Sequence, residues 1–197
     1  MLGLGSSITS SGALATAVAP SGNFLWQTSD FNDYTISGQG GPNADTLAIG
    51  TATVDGISNY VIITQTYDGG FLGDPVMTLK DSSDTFDVAP STFSTGQFIV
   101  DAKFLMPSSS DYDGAFVGIF DGNTVQGTKA SVTNSQLSNN TWVSATGSCD
   151  ATGTDLIIKI VVEDPGAGPE SQEQLYVTDV RVRHSDGTLL YRRGPAF

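Results

Sequence analysis

Basic residues are scarce in this chain: eight Lys and Arg stand against 21 Asp and Glu among 197 residues, for a formal net charge of -13. Binding a phosphate backbone needs a clustered cationic surface, so a nucleic-acid partner is disfavoured. His and Cys occur once each, as His184 and Cys149. A lone Cys permits no intrachain disulfide and reads as a buried structural thiol in a reducing compartment. One His and one Cys supply no usual zinc ligand set. Nucleophilic catalysis beside Ser or Cys also needs a base, and His184, closing a strand just before Asp186-Gly187, reads as structural. Glu is nearly missing: Glu163, Glu170 and Glu173 all fall in or beside one loop. That leaves only Asp pairs for the two carboxyl groups that glycosidic hydrolysis places across a cleft. No stretch approaches the roughly 20 apolar residues of a membrane-spanning helix. These absences predict a protein that is neither an enzyme nor a membrane component.

A further absence is local. The first 29 residues hold no Asp, Glu, Lys or Arg. The stretch lacks the basic start and unbroken apolar centre of a secretory signal. Leu2, Leu4, Ile8, Leu14 and Val18 are spaced irregularly among small residues, which suits an extended arm in a partner's groove better than an amphipathic helix. Burial at such a contact penalises unpaired ions, which accounts for the missing charge.

What is abundant is small and turn-forming: 23 Gly, 22 Ser, 22 Thr, and Asp as 18 of the 21 acids. Between these residues lie short β-branched and aromatic runs, so the chain reads as all-β. In "QFIVDAKFLM" alternation puts Phe98, Val100, Ala102, Phe104 and Met106 on one face and Asp101 and Lys103 on the other. "DLIIKIVVED" repeats this with Leu156, Ile158, Ile160 and Val162. "LYVTDVRVRH" groups Tyr176, Thr178, Val180 and Val182, leaving Asp179, Arg181 and Arg183 opposite. "NYVIITQTY" and "GAFVGIFDG" are apolar on both faces, as central strands are. "PVMTLK" and "TLAIGTATV" are shorter strands, and "TKASVTNSQLSNNTWV" is a loop followed by a strand. Asp55-Gly56, Asp121-Gly122 and Asp186-Gly187 mark turns, the last closing a hairpin. Nine or ten strands at this spacing predict an antiparallel β-sandwich of jelly-roll type with an extended N-terminal arm. The expected organisation is a docking arm over 1–22, a sandwich over 23–184, and a hairpin strand and tail over 185–197.

The order "GNFLW", "GQFIVDAKFLM", "GAFVGIFDG", "NNTWVSATGSCDATGTDLIIKIVVED", "LYVTDVRVR", covering about residues 23–184, resembles carbohydrate-binding-module jelly rolls. That resemblance implies one structural calcium, with Asp179 in the ligand position; read from the residues alone, Asp179 is a solvated strand residue paired with Arg181. Sugar recognition uses exposed rings. Trp142, opening a strand, reads as core, whereas Tyr67 and Phe71 flanking Gly69-Gly70, and Tyr112 between Asp111 and Asp113, are the surface candidates for a glycan.

The neutral arm, the acidic sandwich and the tail "LLYRRGPAF" are together similar to small structural proteins of tailed bacteriophages. This similarity implies a capsid decoration or cement protein on the virion surface, assembled in the host cytoplasm as a homo-oligomer or symmetric array. Its partner would be the major capsid protein or another virion protein, met by the arm and by Tyr191, Arg192, Arg193 and Phe197. The alternative is a fibre or surface module that binds host glycans.

Overall fold

The computed structural model describes residues 24–36, 45–65, 74–79, 96–107, 110, 112–137, 140–152, 156–163 and 173–195. The arm residues Leu2, Leu4, Ile8, Leu14 and Val18, the loop aromatics Tyr67 and Phe71, and Phe197 lie outside the described residues.

The alternating runs form strands. In chain order these are β1 (Phe31–Ile36), β2 (Thr46–Gly50), β3 (Tyr60–Gln65), β4 (Pro75–Leu79), β5 (Gly96–Leu105) and β6 (Gly114–Asp121). There follow β7 (Thr124–Val125), β8 (Ala130–Thr133), β9 (Val143–Ala151), β10 (Leu156–Glu163), β11 (Glu173–His184) and β12 (Leu189–Arg193). Short 3-10 turns stand at Thr28–Asp30 and Asn134–Gln136. Among the described residues all pairings are antiparallel. One sheet runs β1-β4-β10-β6, with β7 and β8 both on β6; the other runs β2-β3-β11-β5-β9, with β12 on β11. Numbered among themselves in chain order, β3, β4, β5, β6, β8, β9, β10 and β11 lie 1-8-3-6 in one sheet and 2-7-4-5 in the other. This crossing order makes the sandwich a jelly roll.

The core is what alternation predicts. Phe98, Val100, Ala102 and Phe104 of β5 and Leu156, Ile158, Ile160 and Val162 of β10 all face inward between the sheets, and Met106 just beyond β5 joins them. Burying each large apolar side chain stabilises the fold by about 1.5–3 kcal/mol. β6 is buried along both faces up to Asp121, as its unbroken apolar run requires. Its outward Phe116 and Phe120 stack over Gly118 and form a second small cluster with Val161. Lys129 and Lys159 lie on their rings.

Two expectations change. The stretch before Trp142 that reads as a loop contains β8 and a 3-10 turn, because Ala130 and Val132 alternate with exposed Ser131 and Thr133 and pair with β6. In β11, alternation breaks: Leu175 and Val177 point inward, and so do Val180 and Val182. The extra residue between Thr178 and Arg181 is a bulge, with Asp179 at φ 49° in the left-handed region that Asp tolerates better than most residues. Tyr176 therefore shares the solvent side with Arg181 and Arg183, rather than facing away from them.

Candidate functional site

The bulge places the most chemically loaded surface on the outer face of the β2-β3-β11-β5-β9 sheet. Cross-strand register sets Thr146, Asp101, Arg181 and Arg192 in one row across β9, β5, β11 and β12. Ser144, Lys103 and Thr178 form the next row. Within the first row Thr146 donates its hydroxyl to Asp101 Oδ1 at 2.9 Å. Arg183 donates to Asp101 Oδ2 from Nε at 3.1 Å and Nη2 at 2.8 Å. Between the rows lies an open depression of about 220 Å³, lined by Asp101, Lys103, Ser144, Thr146, Asp179, Arg181 and Arg183.

Asp179 is its electrostatic centre. The residue is 1 % exposed. Arg181 Nη2 donates to its Oδ2 at 2.6 Å, with Lys103 Nζ at 3.9 Å and Arg192 Nη2 at 4.0 Å. Burial pushes the carboxyl above the ordinary aspartate range, outweighing the pull of these cations. Among the described residues Oδ1 accepts no hydrogen bond, and Arg181 Nε and Arg192 Nε are buried donors without an acceptor. The residue is thus neither solvated nor suited to calcium, because a cation site needs several oxygen ligands whereas three cationic side chains surround this carboxylate. Among the described residues no three His, Cys, Asp or Glu side chains gather as metal ligands.

An aromatic group stands one row further along the sheet, where Tyr176 and Trp142 precede Thr178 and Ser144 by two residues. Tyr60 stacks on Tyr176 with centroids 4.8 Å apart and meets Trp142 edge-on at 5.5 Å. The Tyr60 ring lies over Gly50, its register partner, where a Cβ would have no room. Tyr60 is buried, while Tyr176 and Trp142 are half-buried. Trp142 departs from its expected place in the core: it crosses to the turn between β2 and β3, donating Nε1–H to the Val54 carbonyl at 2.8 Å, and its main-chain N–H to Asp55 Oδ2 at 3.2 Å. An indole needs an acceptor, and that turn offers one at the sheet's edge.

Other candidates are spent inside the fold. Tyr112, expected at the surface, is fully buried, and its hydroxyl donates to the Glu173 carbonyl at 2.9 Å. Of the expected tail anchors, Tyr191 faces the core opposite Val182, and Arg193 is buried against Asp30. Alternation along β12 leaves Arg192 outward, near the Phe24 ring. His184 stacks on Phe98 at 5.1 Å. Glu163 pairs with Lys129 at 3.0 Å, Glu173 is buried, and Glu170 lies outside the described residues. Cys149 is 5 % exposed, and burial raises its thiol pKa, with Asp150 adding to the effect. Thiolate is the reactive form, so a polar thiol reagent at neutral pH is expected to leave the native protein unlabelled and to titrate one thiol after unfolding. Rapid labelling of native protein contradicts this placement.

No family model matches the chain, and no curated protein matches it. Among solved structures, an arabinose-bound GH51 α-L-arabinofuranosidase is similar to 76 % of this chain at 10 % identity and TM-score 0.50; the chain spans 22 % of that enzyme. The CBM22-1 xylan-binding domain of Paenibacillus barcinonensis Xyn10C aligns with 85 % of this chain and 91 % of its own, at 11 % identity and TM-score 0.49. The module CBM6cm-2 of Cellvibrio mixtus lichenase 5A, in complex with cellotriose, aligns with 77 % of this chain and 92 % of its own, at 12 % identity and TM-score 0.39. The likeness is one of fold. Nothing in these comparisons points to a virion.

Proposed function

We propose that this chain is a non-catalytic carbohydrate-binding β-sandwich that holds a saccharide on the outer face of the β2-β3-β11-β5-β9 sheet. One observation carries the reading: two half-exposed rings, Tyr176 and Trp142, stand two residues before Thr178 and Ser144, one row along the sheet from a depression lined by hydroxyl, carboxylate and guanidinium groups. A sugar ring offers apolar C–H faces and equatorial hydroxyls. Rings receive the former, and fixed polar groups receive the latter. This is the glycan-binding alternative of the sequence reading, on other residues than Tyr67, Phe71 and Tyr112. The capsid-decoration reading gains no support from the described residues, because its arm lies outside them and Tyr191 and Arg193 point inward.

Screening on a glycan array, followed by titration calorimetry with the retained sugar, tests the proposal. Tyr176→Ala is expected to weaken binding roughly tenfold, the scale of one lost aromatic contact. Unfolding curves of the variant establish that it remains folded. Retention of no glycan, or unchanged affinity in folded Tyr176→Ala, refutes the assignment.

A further inference from the structure

We infer that the depression over Asp179 is a subsite for an acidic sugar, one that carries a carboxylate on its ring. The inference rests on the saccharide-binding reading and goes on to name the ligand class.

Charge distribution is the first ground. The chain carries eight Lys and Arg at a net charge of -13, yet Lys103, Arg181, Arg183 and Arg192 converge on this one sheet face. Against them stand two carboxylates, Asp101 and Asp179, each ion-paired to an arginine. The patch is therefore locally cationic on an anionic molecule. Such a field attracts anions to this spot and repels them elsewhere.

The second ground is how the cations are held. Asp179 lies beneath them, raised into that position by the bulge, and draws Arg181, Lys103 and Arg192 together from β11, β5 and β12. Asp101 and Asp179 hold these side chains by one edge each, Arg183 through Nε and Nη2 and Arg181 through Nη2. The outer parts of Arg181, Arg183 and Lys103 stay partly exposed, with side-chain exposures of 37 %, 34 % and 23 %. The outer ends of these guanidinium groups, not spent on Asp101 or Asp179, offer charged N–H donors to a carboxylate.

Geometry also limits the occupant. A volume of about 220 Å³ is small for a saccharide site, below the roughly 300–1,000 Å³ of ordinary ligand pockets. That suits one charged ring of a chain whose neighbouring rings extend toward Tyr176 and Trp142. Exposed Ser144 and Thr146 border the same space and offer hydroxyls to the ring.

The test compares oligogalacturonate and oligomannuronate with their methyl esters, which keep the ring and lose the charge, beside neutral cello-oligosaccharide. The free acid is expected to bind at least about tenfold tighter than its ester, the scale of one charge-assisted hydrogen bond. This preference should shrink as ionic strength rises from about 0.01 M to about 1 M, where the Debye length falls from about 30 Å to about 3 Å. Arg181→Gln and Lys103→Gln should each reduce the preference, and Lys103→Gln leaves the 2.6 Å Arg181–Asp179 bond intact should the first variant fold poorly. Tyr176→Ala should weaken acid and ester alike. Equal binding of acid and ester, or a preference that survives both substitutions, overturns the inference and leaves the saccharide-binding reading standing. Binding of no saccharide, charged or neutral, overturns both.

Discussion

Replacing Asp30 by alanine is expected to lower the unfolding free energy by about 3–5 kcal/mol, measured by chemical denaturation. Asp30 and Arg193 are each 1 % exposed, and Arg193 Nε donates to Asp30 Oδ1 at 2.7 Å across a sequence separation of 163. Arg193 is opposite Val180, on an inward position of β12, and therefore enters the sandwich rather than the solvent. Removing the carboxylate takes this counter-charge from a buried guanidinium, and the uncompensated charge is the larger part of the effect. Asp30 also accepts the Gln27 N–H on Oδ2 at 2.6 Å, closing the 3-10 turn that leads into β1. The same N-terminal segment is tied down twice more, by the Gly194 N–H to the Phe24 carbonyl at 2.6 Å and by the Asn59 side chain to the main chain of Trp26. The double replacement Asp30→Leu with Arg193→Met should recover most of the loss, because an apolar pair of similar volume avoids desolvating charge. A single-variant loss under about 1 kcal/mol, the scale of an exposed pair, removes the case for a dry ion pair.

Gly147→Val is the second large effect, with an expected loss of about 3 kcal/mol, at the upper end for an overpacked core. Gly147 lies in β9 opposite Val100, where the chain entering β8 passes directly above it. A Cβ there would stand 2.5 Å from the Thr128 carbonyl oxygen and 2.6 Å from the Ala130 nitrogen. Those are main-chain atoms, which no rotamer change moves aside. Gly118→Ala is the control: its Cβ would meet only side chains, at 3.2 Å or more. Comparable losses at the two positions would mean that β8 yields easily, and the argument from main-chain contact fails.

Much of the architecture was legible because alternation is a local property. β5 and β10 bury the side chains that a period of two assigns to them, and the Asp186-Gly187 turn closes the β11–β12 hairpin where it should. The candidate site was harder to see, although one signal was present. In "LYVTDVRVR" the inward residues run Leu175, Val177, Val180, Val182, two alternating pairs offset by one extra residue. That phase break is the bulge, and reading the strand as unbroken put Tyr176 on the wrong face. Trp142 gives no such signal: a strand-opening Trp packs inward by default, and its outward placement depends on a carbonyl 88 residues away in sequence.

Side-chain period and turn chemistry act over a few neighbouring residues, so the order of amino acids suffices to specify a β-structure with an apolar interior. Where charge and aromatic rings meet is set by the packing of distant strands. Asp179 draws in cations from three strands, and Tyr60 touches both Tyr176 and Trp142. Contacts of this kind depend on register and on a crossing order that no single segment encodes, since each strand's partner is chosen by how both sheets close around one core.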